Sequence, residues 1–345
     1  MTEPAAPPVL EVEDLHTYIA TDAGVVRAVD GVSFSVGERE ILGLVGESGC
    51  GKSVTCRTIA GLMPSPPARS SGHVRLSAYG DRNLLTLSPT ELQRLRGEHL
   101  SMVFQDPMSA LNPVMRVGDQ IEEAVKVHER LGSRARRTRA IELMERVGIP
   151  VPERRMRDYP HQFSGGMRQR VLIAMAIAGR PKVLLADEPT TALDVLIQDQ
   201  ILSLLLELQR DFGMSMILVS HDLGVIGEMC DRVAVMYAGQ IVELADTATL
   251  LGGPRHPYTI SLLRSLPDVN SESRYLRSIG GAPPALVDVP GGCRFAPRCP
   301  LALDRCREWE TELLSAGEQG HTARCWRHEE TRREDAWPEQ SYGSA

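Results

Sequence analysis

The run Gly46-Glu47-Ser48-Gly49-Cys50-Gly51-Lys52-Ser53 places three glycines ahead of a lysine and a hydroxyl, the order needed to surround a phosphate. Glycines let the backbone curl so that successive N–H groups point inward, and the helix that follows adds a partial positive charge. Lys52 is then placed to reach terminal phosphates and the Ser53 hydroxyl to coordinate magnesium. A second such place is Ser164-Gly165-Gly166, which opens a helical run and leaves N–H donors unpaired. Asp187 and Glu188 end the apolar run that begins at Val183. Asp187 suits a magnesium ion and Glu188 an attacking water, and burying two acids beside a phosphate makes sense only if a cation and a water need them. Gln105 and His221 follow two further apolar runs, so polar groups gather at one kind of position. The chemistry is that of binding a nucleoside triphosphate and removing its last phosphate.

The elements that must position these groups follow from periodicity. Ile41 to Val45 reads as a buried strand and Val54 to Leu62 as the helix behind the glycine loop. Val9 to Val12 and Val32 to Val36 alternate as half-buried strands do, with a turn region around Asp22-Ala23-Gly24. Tyr18, near the end of the first strand region, reads either as core packing or as a platform for adenine. Met63 to Pro67 breaks structure, and His73 to Leu85 predicts a short hairpin. Val117 to Leu131 and Arg134 to Val147 have helical spacing and predict an inserted helical subdomain over about 106–180. Its run Arg134, Arg136, Arg137, Arg139 reads as a solvated face paired with Glu142 and Glu145, not as a nucleic-acid surface. Arg232 to Met236 and Gln240 to Leu244 predict a hairpin, followed by a helix over Thr247 to Leu251.

Composition bounds the class. The 345 residues are 42% hydrophobic and 24% charged, as in a globular protein, and a formal charge of −7 argues against a surface that tracks nucleic acid. No apolar run approaches the ~18–20 residues of a membrane helix. Met1 to Pro8 lacks the features of a secretory signal, which predicts a cytosolic chain with reduced cysteines.

In this order the motifs resemble the ATP-binding subunits of ABC transporters. Gly46 to Ser53 looks like Walker A, Gln105 like the Q-loop, Ser164-Gly165-Gly166 like the signature and Asp187-Glu188 like Walker B. Ala192-Leu193-Asp194 looks like the D-loop and His221 like the H-loop switch, while Tyr18 resembles by position the adenine-stacking aromatic. Phe163 and Met167 depart from the usual leucine and glutamine of the signature. The resemblance implies an α/β P-loop NTPase fold, a mixed sheet core with an inserted helical subdomain. It also implies two subunits closing head to tail over two ATP molecules. Lys52 and the loop amides would then hold the β- and γ-phosphates, Ser53 and Gln105 the magnesium, Glu188 the water and His221 the γ-phosphate. Where the family often carries serine, this chain has Cys50, and a thiol at a helix N-terminus beside Lys52 is expected to have a depressed pKa.

The last third resembles more narrowly. His256-Pro257-Tyr258-Thr259, Leu262-Leu263 and Leu266-Pro267 look like the C-terminal extension of the oligopeptide/dipeptide importer ATPases, a group that includes nickel and some glycoside importers. Pro283-Pro284 and Pro290-Gly291-Gly292 mark loops. Cys293, Cys299, Cys306 and Cys325 follow the spacing C-x5-C-x6-C-x18-C, in a segment too short to bury much apolar surface without a metal crosslink. Spacing alone leaves zinc and an iron–sulfur cluster open. The resemblance of this cysteine motif to that of the peptide-importer ATPases implies a [4Fe–4S] cluster, with zinc as the alternative. The expected organisation is an ATPase domain over 1–255, an extension over 256–328 and a disordered tail over 329–345. The implied function is the ATP-hydrolysing motor of a di- or oligopeptide importer at the cytoplasmic face of the membrane. Its partners would be a second, paralogous ATPase subunit, two permease subunits and an extracytoplasmic substrate-binding protein, with no nucleic acid. Another cargo, or a soluble ABC ATPase outside transport, is the alternative.

Overall fold

The computed structural model describes residues 7–191, 193–265, 279–287, 289, 291–309, 311–317 and 320–332. Ala192, Leu266-Pro267, Pro290 and the tail from residue 333 therefore lie outside the described residues.

Two sheets form the core. The smaller is antiparallel in the order β2-β1-β4, built from β1 (Leu10–Thr21), β2 (Gly24–Val36) and β4 (Ala68–Leu76). The larger contains β3 (Ile41–Val45), β5 (Leu100–Val103), β6 (Val183–Asp187), β7 (Ser215–Ser220), β8 (Arg232–Tyr237) and β9 (Gln240–Asp246). Two short strands from the far end of the chain, β10 (Leu314–Ser315) and β11 (Thr322–Ala323), complete it in the order β10-β11-β9-β8-β3-β7-β6-β5. The stretch from β8 to β5 is parallel, and β9 turns back antiparallel on β8.

The parallel strands are apolar throughout because both faces are covered. Ile41, Val45, Leu184, Ala186, Met216 and Leu218 pack on the helical side, with Ile121, Leu143, Ile173 and Leu205. The alternate residues Leu42, Leu44, Val183, Leu185, Ile217 and Val219 pack on the other side, with the small sheet and the helix Lys52–Ile59. The helices Val117–His128, Ser133–Arg146 and Gly165–Ile177 fall where helical spacing was expected. Arg139 pairs with Glu142 as anticipated, while Arg139 and Arg137 also reach Glu129 and Glu122.

One expected element is corrected. His73 to Leu85 is not a hairpin: β4 begins at Ala68 and pairs with β1, and two 3-10 turns, Ser77–Tyr79 and Leu84–Thr86, follow. Asn83 closes this segment locally by accepting from the N–H groups of Val74 and Leu85 and donating to Gly72. Its side chain thus takes bonds that a second strand would have supplied.

The C-terminal region is tied to the same sheet. Thr322 and Ala323 of β11 lie opposite Leu244 and Glu243 of β9. The fully buried carboxylate of Glu243 accepts from the backbone N–H groups of Arg255 (2.6 Å) and His256 (2.9 Å) and lies 2.8 Å from His321 Nε2.

Candidate nucleotide-binding site

Strand register brings the chemistry together. Val45 of β3 lies opposite Ser220 of β7, Val219 of β7 opposite Asp187 of β6, and Ala186 of β6 opposite Val103 of β5. The glycine loop, His221, Asp187-Glu188 and Gln105 therefore leave one edge of the sheet at the same height. That edge, outside the carboxyl ends of parallel strands, is where open α/β sheets bind ligands.

The loop can take its shape only with glycine at two positions. Gly46 (φ 152°) and Gly51 (φ 109°) have left-handed backbones, and a Cβ would come within 2.1 Å of the Met236 carbonyl and 2.2 Å of the Ala28 carbonyl, respectively. Gly51 opens the helix Lys52–Ile59 without a side-chain cap, which leaves first-turn N–H donors for an anion. Lys52 is buried, and its Nζ donates to the carbonyls of Gly46 (2.7 Å) and Glu47 (3.1 Å).

Ser53 Oγ donates to Asp187 Oδ1 at 2.7 Å, while Asp187 Oδ2 is buried with no hydrogen-bond partner. Burial pushes the Asp187 carboxyl above the usual carboxylate range, an effect opposed by the Ser53 hydroxyl. An orphaned carboxylate oxygen beside a hydroxyl is a donor set that fits magnesium. Gln105 points elsewhere: its Nε2 donates to Glu188 Oε2 at 2.9 Å. Thr191 Oγ1 donates to the same oxygen at 2.9 Å, and His221 Nδ1 lies 3.9 Å from it. Glu188 is itself held with φ 45°, an uncommon backbone for a non-glycine residue and one that suits a functional position.

The signature residues stand apart from this cluster. Ser164 caps its own helix by accepting from Met167 N–H at 3.3 Å, and a Cβ at Gly166 would meet Ile197 at 2.5 Å. Ser164 and Gly165 are exposed, as are Asp194 and the apolar Val195 and Leu196 that follow it. Tyr18 is engaged through its hydroxyl, which donates to Asp30 Oδ1 at 2.5 Å, and Arg27 lies over its ring. Burial and Asp30 together push the phenol up to about 12.

Cys50 departs from expectation. The residue is 5% exposed, and burial raises its thiol pKa more than Lys52, 3.8 Å away, lowers it. The four C-terminal cysteines line one cavity together with His256, Phe295 and Trp326. Burial pushes the Cys299 and Cys325 thiols up to about 12, so both are protonated at neutral pH. The sulfurs share a cavity without closing on an ion: among the described residues no group of three or more His, Cys, Asp or Glu side chains is set to hold a metal.

Three residues of the C-terminal region make contacts at or near the site that the sequence did not assign to them. Tyr258 accepts from Glu47 N–H at 2.9 Å, Arg298 pairs with the Glu47 carboxylate, and Arg294 pairs with Asp30. The two arginines lie 251 and 264 residues from their partners, which no periodicity links.

Comparison with known proteins agrees with this geometry. Residues 29–191 match the ABC transporter family, and residues 242–306 match the oligopeptide/dipeptide transporter C-terminal region. A probable peptide ABC transporter ATP-binding protein of Sinorhizobium fredii is 47% identical over 95% of this chain and 98% of its own length. The dipeptide transport ATP-binding protein DppD of Bacillus subtilis is 46% identical over 92% of this chain and 94% of its own. Among solved structures, the dimeric ATP-binding cassette MJ0796, bound to ADP and Pi after hydrolysis, superposes with a TM-score of 0.61 at 27% identity. It covers 69% of this chain and 98% of that one. The chain belongs to the ATP-binding subunits of ABC transporters, within the oligopeptide/dipeptide permease family.

Proposed function

We propose that this chain is the ATP-hydrolysing motor of an ABC importer that drives uptake of di- or oligopeptides through two membrane permease subunits. The observation that carries the reading is the level edge on which the glycine loop, Asp187, Glu188, Gln105 and His221 meet. The names of the relatives, peptide and dipeptide transport proteins, support peptides as cargo.

On ATP binding, Lys52 exchanges its carbonyl partners for phosphate oxygens, and the first-turn N–H groups take the β-phosphate. Ser53 and Asp187, with Gln105 once its amide turns from Glu188, would hold magnesium. A magnesium ion held there would supply positive charge to offset that of the phosphates. Glu188 orients the attacking water, with Thr191 holding its carboxylate in place. His221 reaches the γ-phosphate, and Tyr18 offers its ring to the base.

Ser164, Gly165 and Gly166 serve the site of a second ATPase subunit, a paralogue. Val195 and Leu196, exposed beside Asp194, are apolar surface that such a partner would cover. No described helix is long and apolar enough to cross a membrane. In this reading the subunit sits on the cytoplasmic face, held by the permeases and supplied by an extracytoplasmic substrate-binding protein. Cys293, Cys299, Cys306 and Cys325 would ligate a [4Fe–4S] cluster, with zinc as the alternative, and the metal would order the loop-rich segment. Iron and zinc analysis of anaerobically prepared protein, with its visible absorbance, decides between them.

The deciding experiment is Glu188→Gln in the assembled transporter. The variant binds ATP but turns it over very slowly, and near-normal turnover would refute the assignment.

A further inference from the structure

Among the described residues, the C-terminal region hydrogen-bonds the glycine loop at Glu47. Arg298 makes a two-pronged pair with its carboxylate, Nη1 to Oε2 at 2.6 Å and Nη2 to Oε1 at 2.9 Å. The Arg298 side chain is only 4% exposed and lies over the rings of Tyr237 and Phe295. Tyr258, fully buried against the same two rings, accepts the N–H of Glu47 at 2.9 Å. The Glu47 carbonyl, on the inner side, accepts from Lys52. One residue of the loop is therefore gripped at its N–H and its carboxylate from outside and at its carbonyl from within.

Glu47 is a carboxylate in a loop built to receive a polyphosphate. Left unpaired, it would repel the ligand; paired in two-pronged geometry with an arginine whose side chain is almost fully covered, its charge is offset. We propose that Arg298 is a positioning residue for ATP: it neutralises Glu47 and, with Tyr258, fixes the outer edge of the loop. The C-terminal region thereby sets the ATP affinity of its own subunit. This rests on the reading of Gly46 to Ser53 as the ATP loop. Arg298 is not the tether of the region. Arg294 independently pairs with Asp30 and donates to the Ala238 carbonyl, β11 pairs with β9, and Glu243 holds Arg255, His256 and His321.

The test measures ATPase KM and kcat of the full-length chain in its assembled transporter. Arg298→Ala is expected to raise KM for ATP on the order of tenfold, with kcat held within about twofold, because the lost interaction favours bound nucleotide in ground and transition states alike. Arg298→Lys recovers part of the affinity, since it keeps the charge but not the two-pronged geometry. The decisive variant adds Glu47→Gln to Arg298→Ala: removing the stranded carboxylate restores KM toward wild type, which a merely structural role for Arg298 would not produce. Arg298→Gln, which retains packing over the rings, replaces Arg298→Ala if the latter does not assemble, and is read in the same way. An unchanged KM in the single variant, or a raised KM that Glu47→Gln leaves in place, overturns the proposal. Loss of ATP binding by the wild-type chain would instead overturn the ATPase reading.

Discussion

Ser53 Oγ donates to Asp187 Oδ1 at 2.7 Å, joining the first turn of the loop helix to the end of β6 across 134 residues of sequence. The bond uses one oxygen of a carboxylate whose other oxygen is buried and unpartnered. A buried polar atom left without a partner carries a desolvation cost and calls for an explanation.

Asp187→Asn tests that explanation. The amide keeps an oxygen for Ser53 but removes the charge a metal needs. We expect magnesium-dependent ATPase activity to fall by about two to three orders of magnitude, the size seen when one preorganised electrostatic group is lost. Thermal stability should hold or rise, because the burial that lifts the Asp187 pKa no longer opposes folding. Parallel activity and melting measurements check both halves, and a variant that keeps its turnover contradicts the metal assignment.

Gly51→Ala is expected to damage the loop itself. The backbone is left-handed at φ 109°, and the new methyl would lie 2.2 Å from the Ala28 carbonyl. Overpacking against backbone costs roughly 1–3 kcal/mol before strain at positive φ is added. The urea midpoint should drop and nucleotide binding should be lost; a wild-type midpoint would mean that the loop relaxes freely.

Stability should fall in mild acid. His256 is buried, accepts from Tyr258 N–H at 3.1 Å, and is held by burial at a pKa of about 4 against an ordinary 6.5. The folded chain keeps it neutral while the unfolded chain protonates it. Its stabilisation is therefore complete above the unfolded value and is lost as pH falls through the window toward the folded one. The full effect is on the order of 3 kcal/mol. His256→Asn, whose amide oxygen can accept the same N–H, should show a smaller drop in melting temperature between about pH 7 and about pH 5. An equal drop in both proteins would remove His256 as the cause.

Cys50 should resist alkylation. A thiol with a raised pKa on a residue that is 5% exposed is a poor nucleophile despite the neighbouring lysine, so ATPase activity should survive alkylating reagents and Cys50→Ser should change little. Mass spectrometry of the native protein checks this directly, and rapid labelling of Cys50 protected by ATP would reverse the conclusion.

The sequence made the nucleotide edge legible because each group is local to a strong signal. Gln105, Asp187-Glu188 and His221 each end or follow an apolar run, and such runs become parallel strands whose ends align. What it hid was non-local or environmental. β4 pairs with β1 across the chain, so local pattern alone suggested a hairpin at residues 73–85. The helix-terminus argument for Cys50 was sound electrostatics, but burial, which a sequence does not display, outweighed it. Arg298 was visible only as a neighbour of Cys299, since its bond to Glu47 spans 251 residues.

The addition of β11 to β9 has a further consequence. Without Thr322 and Ala323, β9 would present bare N–H and C=O groups along the side of a large sheet, an open template for strands of other molecules. The two-residue β10 that takes over as the outermost strand is too short to act as such a template. A chain cut back to the ATPase core should therefore clump during purification even where its nucleotide pocket is intact, with light scattering rising before any loss of helical signal.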